Sequence, residues 1–423
     1  MKKYFLFAGM IAMLLTMSAC GGSSNSDNDE GDAVESSSQK SKKGKKSTNQ
    51  QVDIKKYDES AAAPAALRIY IDNSGSMKGY AEGSNAVFIS AISDLQGMLT
   101  NETYFWGNSK PIDGNKLIGK VLNDNPFNGT DTPFPAIFGK MAREAAQTGN
   151  LEFIITDGII SPKNSEQQYL KESLGQVKNA IRDSLKQTPD IAVCVYRFTS
   201  GYSNNKANSF YYTYQNQKVK LKNVPMRPFY VIAVGKRANI QWMLDQMAEN
   251  ESLATYAKND QRIIFGLHNH DPKISFSNKS QFTFGKGMLQ LKKKSGDFKL
   301  MANMPDCLIK DLGEDFIKDA ISKGVMLNGK EDKNIKGEVN GNSLCIKCAE
   351  IRKLKNAKNS ITVKIKKTIP DIWIGFNSDD DSNIAKDPMQ QTKSFALYTM
   401  LQGIYEATDA GKMLIDTEIK FSK

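Results

Sequence analysis

The chain has 423 residues and a formal net charge of +11 at neutral pH, and 40% of its residues are hydrophobic. This length accommodates two domains of ordinary size. Only two histidines are present, so the sequence offers little for histidine acid–base catalysis or for a histidine-rich zinc site.

The first twenty residues have the pattern of a secretory leader. Lys2 and Lys3 provide a positive start, and residues 4–16 are apolar but too few to cross a membrane as a mature helix. The following Met17-Ser18-Ala19-Cys20 resembles a bacterial lipobox, which implies cleavage before Cys20 and lipid attachment to it. We therefore expect residues 1–19 to be a lipoprotein signal peptide. The alternative is a plain secretory signal in which the cysteine has no role.

Residues 20–63 have the composition of a disordered tether. Serine, glycine, asparagine, lysine and aspartate dominate, and no aromatic residue occurs between Gly21 and Tyr57, so little apolar surface is available for burial. The acidic stretch of residues 27–35 resembles the surface-export signal of Bacteroidetes lipoproteins, although a solvated charged linker explains it equally well. These features predict a cell-envelope protein anchored by lipid to the outer membrane, with exposure at the cell surface left open.

The first strongly patterned segment is an apolar strand that ends in an acidic residue. Leu67–Asp72 favours a β-strand, and the turn after it carries the hydroxyls of Ser74 and Ser76. One carboxylate and two hydroxyls are hard ligands that suit Mg²⁺, and ligands bind at the carboxyl ends of strands in open α/β sheets. The same residue types are also ordinary turn and helix-capping residues.

Two later segments add oxygen ligands to this pattern. The string Gly129-Thr130-Asp131-Thr132-Pro133 precedes a helical stretch, and the apolar strand Leu151–Thr156 is followed by Asp157. Together the three segments resemble the von Willebrand factor A (vWA) family and its metal-ion-dependent adhesion site. The resemblance implies that Mg²⁺, with Mn²⁺ or Ca²⁺ as alternatives, is bound by a set of five residues, in which Thr132 competes with Thr130. The set is Asp72, Ser74, Ser76, Thr130 and Asp157.

Residues 64–250 alternate between strand and helix patterns, which is typical of βαβ units. We expect a vWA-type α/β domain with a doubly wound, mostly parallel sheet flanked by helices. The predicted elements include a strand over Glu102–Trp106, a long helix over Glu166–Gln187 and a strand over Arg227–Val234. Residues 201–224 interrupt this alternation with an aromatic β-hairpin, which is either a local cover or a partner-contact loop.

Residues 251–423 change to short alternating strands separated by turns. This rhythm predicts a β-rich, sandwich-like second domain. Helical spacing returns only at Phe395–Ala407, so we expect a C-terminal helix.

Other chemistries have weak support. Cys345 and Cys348 form a C-x-x-C pair, but no second pair exists to complete a zinc site, and an alternating strand would place the two on opposite faces. No phosphate-binding loop or nucleophile elbow is present. We therefore expect no enzyme, and the predicted envelope location argues against nucleic acid as a partner despite the basic charge.

The sequence thus predicts an envelope-anchored adhesion lipoprotein. Its metal would capture an acidic side chain of a protein partner, and its lipidated N-terminus would bind the membrane. The alternative is an envelope scaffold whose metal site only stabilises the fold, and a metal-dependent hydrolase is a weaker third possibility.

Overall fold

The computed structural model describes residues 61–82, 87–107, 110–123, 126–127, 129, 133–160, 166–202, 210–213, 217–220, 226–250, 261–266, 273–276, 282–285, 288–291, 298–303, 314–331, 335–340, 343–348 and 358–422. The predicted signal peptide, Cys20, most of the tether, Thr130 and Thr132 lie outside these residues. No helix within the described ranges has the length and apolar character needed to span a membrane. Residues 53–423 belong to one compact unit.

The structure is mixed α/β, and a seven-stranded sheet organises its first part. The strands up to residue 265 are β1 (Leu67–Ile71), β2 (Glu102–Trp106), β3 (Pro111–Ile112), β4 (Leu151–Thr156), β5 (Ile191–Gly201), β6 (Phe210–Tyr212), β7 (Lys218–Lys220), β8 (Met226–Lys236) and β9 (Arg262–Phe265). All except β6 and β7 form the central sheet, in the order β3-β2-β1-β4-β8-β5-β9. Strands β6 and β7 pair with each other as an antiparallel hairpin within the segment where the sequence predicts one.

The expectation of a mostly parallel sheet is wrong. Strand β1 runs parallel to both β2 and β4, whereas every other neighbouring pair of the central sheet is antiparallel. The difference arises because β8 returns beside β5 and inserts between β5 and β4. The described part of the connection from β5 to β8 contains the β6–β7 hairpin and no crossover helix, and parallel neighbours need such a crossover.

Helices pack on this sheet through apolar faces. They are α1 (Lys78–Glu82), α2 (Val87–Leu95), α3 (Leu117–Asn123), α4 (Phe134–Thr148), α5 (Glu166–Gln187) and α6 (Arg237–Glu249). Helix α4 has a proline in its first turn. Gly149 follows its last residue as the C-cap and has a φ of 72°, which lies in the left-handed region that glycine favours. It contacts β4, β8 and α5. Every residue of β4 is buried, as expected for a strand inside a sheet.

The remaining elements are rich in strands. The strands are β10 (Lys273–Phe276), β11 (Phe282–Gly285), β12 (Met288–Leu291), β13 (Phe298–Asn303), β14 (Val325–Leu327), β15 (Lys330–Glu331), β16 (Ile335–Asn340), β17 (Ser343–Cys348), β18 (Lys358–Lys366), β19 (Asn377–Ser378), β20 (Ser394–Phe395) and β21 (Met413–Ser422). The described residues of this region also form the helices α7 (Glu314–Gly324), α8 (Asp371–Gly375) and α9 (Leu397–Thr408). Among these strands, two larger sheets have the orders β10-β13-β17-β16 and β11-β12-β21-β18-β14-β15, and β19 and β20 form a two-stranded parallel sheet.

Two features of this region differ from the sequence expectation. Helix α7, which was not predicted, packs against β16 of one sheet and β18 of the other. The predicted helix near residue 395 is present as α9, but β21 follows it and pairs with β18 along nine residue pairs. The element expected at the end of the chain is therefore followed by a strand inside a sheet.

The late elements contact the central sheet and its helices. Strand β9, which lies beyond the boundary predicted at residue 250, pairs with β5. Helix α9 packs on α5, where Lys178 forms an ion pair with Glu406. A Cβ placed on Gly403 would lie 3.0 Å from the carbonyl oxygen of Leu174, so the two helices approach closely. The segment after β18 is thus part of the same packed structure as the central sheet.

Candidate metal site

Asp72 lies at the junction of β1 and the first turn, and hydrogen bonds hold its carboxylate. Its Oδ1 accepts a hydrogen bond of 2.8 Å from the backbone N–H of Ser74, and its Oδ2 accepts one of 2.7 Å from the Thr156 hydroxyl. The side chain is 1% exposed. Because its backbone N–H also donates to the carbonyl of Ile155, Asp72 is held between the ends of β1 and β4.

The two serines of the first turn lie side by side. The Oγ atoms of Ser74 and Ser76 are 3.0 Å apart, and the Tyr202 hydroxyl donates to the carbonyl of Ser76. Oxygen ligands about 2.1 Å from Mg²⁺ at neighbouring octahedral corners are themselves about 3.0 Å apart. The spacing therefore suits two hydroxyl ligands of one Mg²⁺ as well as a hydrogen bond between them.

The second predicted segment is anchored to this turn through Gly129. The backbone N–H of Gly75 donates to the carbonyl of Gly129, and the N–H of Gly129 donates to the carbonyl of Asn73. A Cβ on Gly129 would lie 3.0 Å from that same Asn73 oxygen, so glycine permits this close approach. The residue just before Thr130 is thereby placed beside Ser74, although Thr130 itself lies outside the described residues.

Asp157 follows β4 at the same edge of the sheet. Its Oδ1 accepts a hydrogen bond from the N–H of Ile159, whereas its buried Oδ2 has no hydrogen bond of ordinary geometry to any described residue. Burial first, and then the nearby Asp72 carboxylate, raise the pKa of Asp157, while the Ser76 hydroxyl and the Arg227 charge oppose that rise. Two carboxylates close enough to disfavour each other's ionisation are a favourable setting for a divalent cation.

The described donors are compatible with a magnesium site. Asp72, Ser74, Ser76 and Asp157 come together from two strand ends, and within the described ranges a buried carboxylate oxygen of Asp157 lacks a hydrogen bond. Among the described residues, no three or more His, Cys, Asp and Glu side chains are grouped so that they could hold a metal ion. The predicted ligand set differs from such a group because it combines two carboxylates with hydroxyls. This composition suits Mg²⁺, which binds through few protein carboxylates.

Arg227 is a charged neighbour of this site that the sequence analysis did not identify. It lies on β8 opposite Ser200, is 1% exposed and interacts electrostatically with Asp157. In the sequence it stands at the start of an apolar strand, where an arginine usually indicates an exposed end. The pairing of β8 with β5 and the rings of Tyr202 and Tyr211 place it inside the protein.

Ser394 was also missed, and it reaches the site from the other end of the chain. Its hydroxyl donates to the carbonyl of Asp157 and lies 3.3 Å from the Tyr230 hydroxyl. No pattern in the sequence marks this serine, because its partner is in a different segment.

Comparison with protein-family models, curated proteins and solved structures gave no match for this chain.

Proposed function

We propose that this chain is a divalent-metal-dependent protein-binding lipoprotein of the cell envelope with a vWA-type domain. Lipid on Cys20 would anchor it to the outer membrane. Asp72, Ser74, Ser76, Thr130 and Asp157 would hold Mg²⁺, or Mn²⁺ or Ca²⁺ in its place, and a protein partner would bind through an acidic side chain.

One observation carries the proposal. Two serine hydroxyls at a spacing of 3.0 Å lie in the same site as a buried Asp157 oxygen that makes no hydrogen bond to the part of the chain that the structure describes. Burying a carboxylate oxygen without a hydrogen bond costs free energy, and a bound cation would offset that cost. These residues come from segments far apart in the chain, so local turn formation alone does not explain their convergence.

The ligand set also supports a binding role for the metal. Neutral hydroxyls neutralise a divalent ion less than carboxylates do, so the bound ion would remain attractive to a further anionic oxygen. In the predicted ligand set, Asp72 and Asp157 supply the carboxylates, and both are among the described residues. The hydrogen bonds from Ser74 and Thr156 would keep Asp72 oriented for this role.

A scaffold whose metal only stabilises the fold is the second candidate, and burial of the site favours it. Asp72 and Asp157 are each 1% exposed, and Ser74 and Ser76 are 9% and 6% exposed. A ligand carboxylate would have to reach well below the surface. In the scaffold, the metal would join the ends of β1 and β4 and meet no external group.

Thermal unfolding with Mg²⁺ and with EDTA tests the metal site. We expect Mg²⁺ to raise the melting temperature of the parent protein, because a ligand that binds only the folded state stabilises it. Replacing Ser74 and Ser76 by alanine should abolish this rise. The matched control replaces Ser173 and Ser184, two buried serines of α5, and should keep it. Equal Mg²⁺ responses in both double variants would refute the metal site.

Capture of envelope proteins separates adhesion from scaffolding. Adhesion predicts that Mg²⁺ increases partner capture, that EDTA removes it, and that Asp72→Ala abolishes it with little loss of folded structure. The scaffold predicts a large shift in melting temperature with Mg²⁺ and no change in capture.

Membrane fractionation of Cys20→Ser tests the anchor, since the variant should move from the membrane to the soluble fraction.

A further inference from the structure

The guanidinium of Arg227 lies in an aromatic enclosure beside the candidate metal site. The guanidinium carbon, Cζ, is 5.2 Å from the ring centre of Tyr202 and 4.9 Å from that of Tyr211. The Arg227 charge also interacts with Tyr80 and Asp157. Cation–π contacts of this kind offset part of the cost of burying the charge, but they leave the N–H groups of the guanidinium to be satisfied.

Neither terminal nitrogen of Arg227 has a hydrogen-bond acceptor within the described part of the chain. The nearby hydroxyls direct their own hydrogens to other acceptors: Tyr80 donates to the carbonyl of Pro228, Tyr202 to the carbonyl of Ser76, and Tyr211 to Asp381 at 2.7 Å. The Tyr80 oxygen is close enough to interact with Arg227, but as a neutral acceptor it does not match the charge of the guanidinium. A buried arginine stays charged at neutral pH and presents a planar fork of donors. A buried fork whose terminal nitrogens have no carboxylate or carbonyl acceptor among the described residues is a reason to expect an anionic ligand.

Tyr202 connects this arginine to the predicted ligands. Its hydroxyl contacts the backbone of Ser76, and its ring packs on Arg227. The guanidinium also interacts electrostatically with Asp157, one of the predicted ligands. A group bound at the metal and a group bound at the guanidinium would therefore lie close together.

We propose that Arg227 is a second anchor for the ligand and that its two terminal nitrogens bind a carboxylate. The inference rests on the proposed function and specifies its ligand chemistry. Arginine matches a carboxylate through two parallel hydrogen bonds. Asp72 and Asp157 already place two potential negative charges at the site, so a singly charged carboxylate is favoured over a doubly charged phosphate.

Small probes test this proposal because Arg227 is only 1% exposed. Acetate serves as the carboxylate, acetamide as its neutral analogue and inorganic phosphate as the competing anion, each in Mg²⁺ and in EDTA at constant ionic strength. Acetate should raise the melting temperature of the parent protein, more strongly with Mg²⁺ present. Acetamide should have no effect, and phosphate should have less effect than acetate.

Two arginine variants provide the decisive comparison. Arg227→Met should keep the Mg²⁺ response and weaken acetate binding by about tenfold or more. Its unliganded melting temperature should not fall, since an unpaired buried charge has been removed. The matched control is Arg197→Met. Arg197 is also buried, but it donates to Gln261 and to the carbonyl of Thr392, so its loss should lower stability and leave the acetate response intact.

The proposal is overturned if the parent does not respond to acetate, if phosphate binds more strongly through Arg227, or if Arg227→Met retains the acetate response. Its failure can be told apart from failure of the proposed function. Mg²⁺ stabilisation together with an acetate response that ignores Arg227 removes only this inference. An acetate response that depends on Arg227, without any effect of Mg²⁺, supports the anion site and removes the metal site.

Discussion

The Ser394 hydroxyl donates a hydrogen bond of 2.7 Å to the backbone carbonyl of Asp157, across 237 positions of the chain. Ser394 is fully buried, and its own backbone N–H donates to the carbonyl of Phe376. The segment that precedes α9 therefore supports the loop that carries a predicted metal ligand. The late part of the chain and the candidate site form one hydrogen-bonded structure.

Ser394→Ala should reduce stability and Mg²⁺ affinity together. The substitution leaves the buried Asp157 carbonyl without this donor, which costs about 1–3 kcal/mol. Urea unfolding measures the free energy, and Mg²⁺ titration measures the affinity. Ser322→Ala is the control, because the Ser322 hydroxyl bonds a carbonyl at an exposed helix position. Loss of stability with unchanged Mg²⁺ affinity would show that Ser394 does not position Asp157 for the metal.

Gly158→Ala should be more destabilising than Gly411→Ala. Both glycines have positive φ values, 70° and 76°, so alanine incurs a similar backbone cost at each. At Gly158 the new Cβ would also lie 2.8 Å from the Tyr230 ring, whereas at Gly411 nothing lies within 4 Å. We expect the two variants to differ by about 1–3 kcal/mol in unfolding free energy. Equal losses would mean that the Tyr230 ring moves aside without cost.

Because of Glu152, the free energy of unfolding should fall as the pH rises from about 4.5 to 8. Burial, and then the Glu144 charge, raise the pKa of Glu152 from 4.5 to about 8, while Arg68 and Lys140 oppose the rise. Below pH 4.5 the group is protonated in both states. Between these values the unfolded chain releases a proton that the folded protein retains, so ionisation favours unfolding.

Glu152→Gln removes this titration. Its free energy of unfolding relative to the parent should increase over the same pH range, by about 4–5 kcal/mol. Urea unfolding of the parent and of Glu152→Gln at several pH values measures the difference. A difference between Glu152→Gln and the parent that stays constant with pH would contradict the raised pKa.

Lys367 and Asp409 form a buried ion pair that joins the late segments to β9. The Lys367 Nζ lies 3.1 Å from the Asp409 carboxylate, with side-chain exposures of 4% and 0%. Asp409 also accepts hydrogen bonds from the N–H of Gly266 just after β9. Lys367→Met should cost about 3–5 kcal/mol, because it leaves a buried carboxylate without its cation.

A double-mutant cycle with Asp409→Asn measures the coupling of this pair. The double variant should lose less stability than the sum of the two single losses, since neither charge is then left alone. Strict additivity would mean that the two side chains do not interact in the folded protein.

Local sequence patterns predicted the bounds of several elements. The predicted strands Glu102–Trp106 and Leu151–Thr156 and the predicted helix Glu166–Gln187 coincide with β2, β4 and α5. Each of these has an apolar pattern that is complete within the segment, and hydrophobic periodicity is a local signal. Helix α7 was missed within a region of alternating strand patterns.

The residues of the candidate site also fall into a group that the sequence predicted and a group that it did not. Asp72, Ser74, Ser76 and Asp157 were predicted because acidic and hydroxyl residues stand directly after apolar strands in the sequence. Arg227 and Ser394 were not predicted because their sequence neighbourhoods resemble an ordinary strand end and an ordinary turn. Their significance depends on partners that lie far away along the chain.

The sequence by itself determined which residues form the main strands and helices of the first part and which oxygen-bearing side chains follow the strands. Both depend on neighbours within a few positions. Only the tertiary structure decided that β8 lies between β4 and β5, that Arg227 is buried beside Asp157, and that Ser394 supports the Asp157 loop. The physical reason is that strand order and the satisfaction of buried polar groups depend on which distant segments pack together, and the packing of the whole chain decides that choice.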